Sequence, residues 1–226
     1  MEFLKKTELL VGQQAIEKLK NSKVIILGIG GVGGYVLEML VRSGVGEIDV
    51  VDFDVIDVTN INRQILATHD NIGELKTQVA MNRAKSINPD IKVNAINIKV
   101  NKDNIPEILN KFYDFVIDCI DKTITDKVEL IDYCYKNNLR IISSMGTGNR
   151  YGMPAYHIND LYETQNDKLS KVLRKYCRRR KIAHSLVCHT TEQPSRYEKP
   201  IANIAYHPAT SGITIASYVI NELIKS

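Results

Sequence analysis

Residues 23–52, KVIILGIGGVGGYVLEMLVRSGVGEIDVVD, constrain the fold more than any other stretch of the chain. Residues 24–27 are apolar and largely β-branched, which reads as a buried strand. Gly28, Gly30 and Gly33 then fall in the spacing G-x-G-x-x-G, and Val32, Val36, Leu37, Leu40 and Val41 recur at helical period. Gly44 and Gly46 close that helix, and 48–51 are a second strand ending on Asp52. Each part of this order has a physical reason. Gly28 permits the tight turn, Gly30 lets backbone approach a phosphate, and Gly33 lets the helix lie close on the strand. The free N–H groups and positive dipole end of the helix favour an anion. Asp52 lies 19 residues past Gly33, where a carboxylate can hold a ribose hydroxyl. A purely structural glycine turn is the competing reading. Strand, helix and acid in their places favour a nucleotide site.

The same alternation continues along the chain. Residues 7–19 carry Leu9, Leu10, Ala15, Ile16 and Leu19 at helical spacing, a helix expected outside the sheet. Asp54, Asp57, Thr59, Asn60, Asn62 and Arg63 make a polar loop or short helix after the second strand, on the side where open α/β sheets bind ligands. Helix is expected over 73–87, stopped by Asn88-Pro89, then a strand over 91–98, a short helix over 105–112 and a buried strand over 115–117. A helix containing 128–135 and a strand over 140–143 follow. The fold class is therefore α/β and Rossmann-like: a mostly parallel sheet with helices on both faces. After residue 144 the chain becomes richer in Gly and Pro, and a C-terminal α+β extension is expected. Its parts are a strand over 155–158, a basic helix within 161–181, a polar loop over 189–200, a last strand over 201–206 and a helix opened by Pro208. The whole reads as one domain, with a nucleotide-binding core over about 20–145 and a substrate-side extension over about 146–226.

Composition narrows the function. Of 226 residues 44% are hydrophobic and 25% charged, as in ordinary soluble domains, and no apolar run reaches the ~20 residues of a membrane span. The first residues lack the apolar stretch of a signal peptide, so a cytoplasmic protein is expected. Cys119, Cys134, Cys177 and Cys188 form no C-x-x-C pair, which argues against a four-cysteine zinc site, and the five histidines show no metal spacing. Between Lys168 and Lys181 stand eight basic residues and no acidic one; the rest of the chain has 22 basic against 26 acidic residues. One segment thus makes the protein basic. It reads either as a solvated amphipathic face or as a contact for a polyanion.

A second constellation is Asn60, Arg63, Lys76 and Asp121. Two cations and an amide beside a glycine-cradled phosphate suit a polyphosphate, and a carboxylate such as Asp121 suits Mg²⁺. A solvated loop with surface ion pairs is the bland alternative. The segments GIGGVGG, VVDFDVIDVTNINRQ, GELK and DCID, in this order, resemble the ubiquitin-activating-enzyme-like adenylyltransferases. Within that family, KTELLVGQQAIEKLKNSKV, IISSMGTGN and the closing pattern over 211–224 resemble the tRNA threonylcarbamoyladenosine dehydratase branch. The resemblance implies that ATP and Mg²⁺ are used to place AMP on a carboxylate, with tRNA as substrate and a homodimer as the working form. It implies that Gly31 and Asp52 hold ATP and that Asp54 sits near the reacting centre. Asn60 and Arg63 would contact phosphates, Lys76 the polyphosphate, and Asp121 the metal. Lys6 stands where the family has an arginine reaching into the partner subunit's ATP site; lysine keeps the charge but not the bidentate fork. Lys122 follows the metal aspartate where a small or polar residue is usual, and Asn166-Asp167-Lys168 replaces a cysteine and proline of the branch. Two further readings stand beside the dehydratase: an adenylyltransferase for a ubiquitin-like sulfur-carrier protein, with Cys177 or Cys188 in the thioester region, and a non-enzymatic nucleotide sensor.

Overall fold

The computed structural model describes residues 2–121, 123–195 and 200–225. Its centre is a seven-stranded sheet built from β1 (Lys23–Leu27), β2 (Glu47–Asp52), β3 (Lys92–Asn97), β4 (Phe115–Asp118), β5 (Ile141–Ser144), β6 (His157–Asp160) and β7 (Leu186–His189). The order across the sheet is β3-β2-β1-β4-β5-β7-β6, parallel throughout except for the antiparallel pair β6–β7. The helices are α1 (Lys5–Val11), α2 (Gln13–Asn21), α3 (Gly33–Arg42), α4 (Lys76–Ile87), α5 (Ile105–Ile108), α6 (Ile124–Lys136), α7 (Lys168–Arg179) and α8 (Tyr206–Lys225). The extension adds β7 and β6 to the edge of the same sheet.

Alternation along β1 builds the two cores. Val24 and Ile26 belong to a cluster with Val36 and Leu40 of α3 and Val219 of α8. Ile25 and Leu27 belong to another with Ile105 and Ile108 of α5 and Leu130 of α6. A third cluster joins Val128 and Ile131 of α6 to Leu173 and Cys177 of α7 and Val187 of β7. Helices thus cover both faces of a sheet whose central strands are buried.

Several expectations need correction. The helix over 7–19 is two helices, because Gly12 sits at φ 88° between α1 and α2. Ala15 and Leu19 are buried, whereas Leu9 and Leu10 are 76% and 85% exposed. The helix over 73–87 begins only at Lys76, since Gly73 (φ 89°) closes a turn with Ile56. The helix over 105–112 ends at Ile108, and the basic helix runs only from Lys168 to Arg179. Residues 201–205 are not a strand: Ile201 is 64% exposed, Ala202 bonds to Asn149 and Asn203 O to the Asn62 side chain without forming a ladder, and α8 starts at Tyr206, two residues before Pro208. The expected strand over 155–158 lies at His157–Asp160. The loop expected over 189–200 falls partly outside the described residues. The apolar runs of α3 and α8 pack against each other. Among the described residues no helix is long and apolar enough to cross a membrane.

Candidate active site

The turn after β1 is fixed from inside. Gly28 has φ 93°, its N–H donates to Val51 O at 2.8 Å, and a Cβ there would lie 2.8 Å from Cys119 O. A Cβ at Gly33 would lie 1.9 Å from Gly28 O, so the start of α3 touches the strand end as the spacing requires. Gly30 and Gly31 face a cavity of about 1040 Å³ at the carboxyl ends of β1, β2, β4 and β5. Asp52 binds the turn to the next loop: Oδ2 accepts the Ile29 N–H at 2.7 Å and Oδ1 the Asp54 N–H at 2.9 Å. Its carboxylate lines the cavity already oriented.

The cations approach from one side. Lys76, the first residue of α4, is buried, with Nζ 3.1 Å from Asp54 Oδ2 and its N–H on Asp54 O. Arg63 is half-buried and donates through Nη1 to Thr59 O and Asn62 Oδ1, both at 2.8 Å. Asn60 and Arg63 share one helical turn, in which the Arg63 and Gln64 N–H groups donate to Asn60 O at 3.1 and 2.9 Å. Val58–Asn60 is a 3-10 turn in which the Asn60 Oδ1 accepts the Asp57 N–H and Asp57 Oδ1 accepts the Thr59 N–H. The Thr59 hydrogen bonds hold the Asp57 carboxyl below its ordinary range. Asn60, Arg63, Lys76, Asp54 and Asp57 all line the cavity.

The third side follows β4. Asp121 is exposed within the cavity, three residues past the strand end. The loop carrying it hangs on Asp118, which is fully buried, accepts the Ile120 N–H at 3.0 Å and pairs with the buried Lys127 Nζ of α6 at 2.7 Å. The Thr123 hydroxyl donates to Asp126, another cavity carboxylate. No group of three or more metal-binding side chains exists among the described residues. Mg²⁺ needs less than that: one or two carboxylates suffice when phosphate oxygens and water supply the rest, and Asp121 offers such a hard oxygen donor. Lys122 lies outside the described residues. Lys6 is exposed on α1 and does not line the cavity of its own chain.

The far wall was not read from sequence. It consists of 144–150, the start of α7 with Lys168 and Leu169, and Pro194, Asn203 and Pro208. Arg150 pins it: buried, it donates to the carbonyls of Gly146, Gly148, Asn166 and Glu192. Cys177 and Cys188 are buried, and burial pushes their thiols up to about 11 and about 12, away from thiolate character.

A nucleotide cavity on the strand ends of a doubly wound sheet, with a glycine turn, a buried lysine and an orienting aspartate, defines a nucleotide-binding enzyme of the α/β class. The chain belongs to the ThiF family, whose sequence profile matches residues 5–226. It is 32% identical over 239 residues to the tRNA threonylcarbamoyladenosine dehydratase of Bacillus subtilis, covering 97% of this chain and 94% of that one. The crystal structure of the Escherichia coli tRNA N6-threonylcarbamoyladenosine dehydratase TcdA in complex with ATP superposes with a TM-score of 0.92 at 29% identity, over 99% of this chain and 94% of that chain. The sulfur carrier protein adenylyltransferase of Thermus thermophilus is 40% identical over 111 residues, 49% of this chain and 41% of that one.

Proposed function

We propose that the chain is an ATP-dependent tRNA threonylcarbamoyladenosine dehydratase, and that the cavity is its adenylation site. The observation that carries this reading is the convergence of Gly30, Gly31, Asp52, Arg63, Lys76 and Asp121 on one cavity, in a chain that matches such dehydratases over nearly its full length. A substrate carboxylate oxygen attacks the α-phosphorus of ATP and pyrophosphate leaves. An internal nucleophile then attacks the activated carbonyl carbon and loses its proton, and AMP leaves with the former carboxylate oxygen. The nucleoside ends lighter by one water. Gly30 and Gly31 give the phosphates close access to backbone, Asp52 orients the ribose, and Asn60 and Arg63 hold phosphate oxygens. Lys76, kept in place by Asp54, offsets charge developing at phosphorus. Asp121 would hold Mg²⁺, which neutralises the polyphosphate when bound.

The test is mass spectrometry of tRNA nucleosides after incubation with ATP and Mg²⁺. Loss of one water from threonylcarbamoyladenosine, with AMP and pyrophosphate formed, is expected. An unchanged nucleoside, with pyrophosphate exchange appearing only on addition of a sulfur-carrier protein, would put the second reading first; the likeness to the Thermus enzyme supports that alternative.

The same reading makes the working form a homodimer in which Lys6 serves the partner's cavity. Leu9 and Leu10, exposed one helix turn from Lys6, support it. Sedimentation at micromolar protein is expected to give a dimer. A monomer with full ATP turnover refutes it.

A further inference from the structure

One cation of the cavity wall is committed to backbone. Arg150 lines the cavity and is only 5% exposed. Its Nε donates to Glu192 O at 3.0 Å, Nη1 to Gly146 O at 3.0 Å and Gly148 O at 3.1 Å, and Nη2 to Asn166 O at 3.4 Å. Nη2 also stands 3.8 Å from Asp167 Oδ2. The four carbonyls belong to three segments far apart in the chain: the loop after β5, the turn before α7 and the loop after β7. A planar fork with donors on three nitrogens can join three segments at once. An ammonium, a single point of charge on a flexible stem, cannot fix them in the same geometry.

The joined segments pack closely. A Cβ at Gly146 would lie 2.9 Å from Asp167 Oδ2, and one at Gly152 would lie 2.9 Å from Glu192 Oε1. Asp167 Oδ1 accepts the Ser170 N–H at 2.6 Å and so caps α7, whose first residues, Lys168 and Leu169, line the cavity. The ATP side is fastened separately, by the Ile29 N–H on Asp52 and by Lys76 on Asp54. At about 1040 Å³ the cavity stands at the top of the range of about 300–1,000 Å³ usual for ligand pockets, so it has room for a nucleotide and part of an acceptor.

We propose that Arg150 is a positioning residue for the acceptor. It fixes residues 146–148 and the start of α7 as the surface against which the acceptor carboxylate is brought to the α-phosphorus of ATP. The identity of the acceptor rests on the dehydratase reading; the joining of the wall does not. Carbonyl oxygens turned onto the guanidinium are also kept from facing an anionic acceptor. Direct capture of the acceptor carboxylate by Arg150 fits less well, because four of the five guanidinium N–H groups are already engaged.

The experiment compares wild type with Arg150→Lys and Arg150→Gln, in steady-state turnover of tRNA bearing threonylcarbamoyladenosine and in amide hydrogen exchange without any acceptor. Both variants are expected to lose about 10–10²-fold in kcat/KM for the tRNA, mainly through KM, as a misplacement of about 1 Å does. KM for ATP and thermal stabilisation by ATP stay as in wild type. Exchange becomes faster at Asn149 and Ser170, whose N–H groups donate to Ala202 O and Asp167 Oδ1, and stays unchanged at Gly28 and Ile29 of the glycine turn. Arg150→Lys keeps the buried charge, so it decides the matter should Arg150→Gln not fold. Wild-type kcat/KM for the tRNA in Arg150→Lys overturns the proposal, since the fork is then dispensable. A lower melting temperature with both KM values intact refutes it as well, leaving Arg150 a structural residue. If the wild type never alters the modified nucleoside, the dehydratase reading fails. Faster exchange at Asn149 and Ser170 then still supports the joining role of Arg150, and unchanged exchange ends it.

Discussion

Replacing Lys76 by methionine is expected to slow ATP turnover by about 10²–10³-fold, with a much smaller change in KM for ATP, because one fixed positive group aimed at developing charge is worth that much. The position supports the magnitude. The side chain is only 7% exposed, it begins α4, and its Nζ is held 3.1 Å from Asp54 Oδ2. A cation so desolvated acts more strongly on a nearby phosphate than one in water. The single variant also takes the Lys76 ammonium away from Asp54, and distortion around that carboxylate lowers activity by a separate route. The double variant Lys76→Met with Asp54→Asn removes that ambiguity. It is expected to recover the stability lost by the single change and to remain as slow. Wild-type turnover in the double variant would show that Lys76 serves only to neutralise Asp54.

The adenylation half of this site was legible because its signals are local. The spacing of Gly28, Gly30 and Gly33, the periodicity of α3 and the placement of Asp52 fit within 30 residues, and the structure builds them as read. The far wall was not legible, because long-range contacts specify it. Arg150 organises it by donating to four carbonyls, one of them 42 residues away at Glu192, and nothing in the sequence around Arg150 marks it as buried. β7 escaped notice because its apolar run is only residues 186–188 and no Gly or Pro beside it marks a boundary. The apolar residues of 201–206 suggested a strand that side-chain burial does not support, since Ile201 and Ile204 stay exposed. The basic run likewise hid a division of labour. Arg180 looks like its neighbours in RRR, and only its ion pairs with Glu129 and Asp132 show that it is structural.

Lys127 illustrates a signal that was present and unread. Lys127, Leu130, Ile131 and Cys134 are spaced as one buried helix face, so the lysine falls on an apolar stripe. Asp118 ends an apolar strand nine residues earlier. A cation on a core face and an acid closing a core strand call for each other, and the structure joins them at 2.7 Å with 1% and 0% exposure. Lys127→Met is therefore expected to destabilise the fold by about 3–5 kcal/mol, the usual cost of leaving a buried charge without its partner. Equilibrium unfolding in urea measures it. Combining Lys127→Met with Asp118→Asn is expected to recover most of the loss, because the asparagine is uncharged and its carbonyl oxygen can still accept the Ile120 N–H that Asp118 accepts now at 3.0 Å. A single-variant loss under about 1 kcal/mol, the range of an exposed pair, would contradict the burial argument. A double variant as unstable as the single would show that Lys127 contributes through packing of its stem rather than through Asp118. The pair also anchors the loop that carries Asp121. The destabilised single variant, assayed where it remains folded, is accordingly expected to need more Mg²⁺ for half-maximal ATP turnover, and the double variant less than the single.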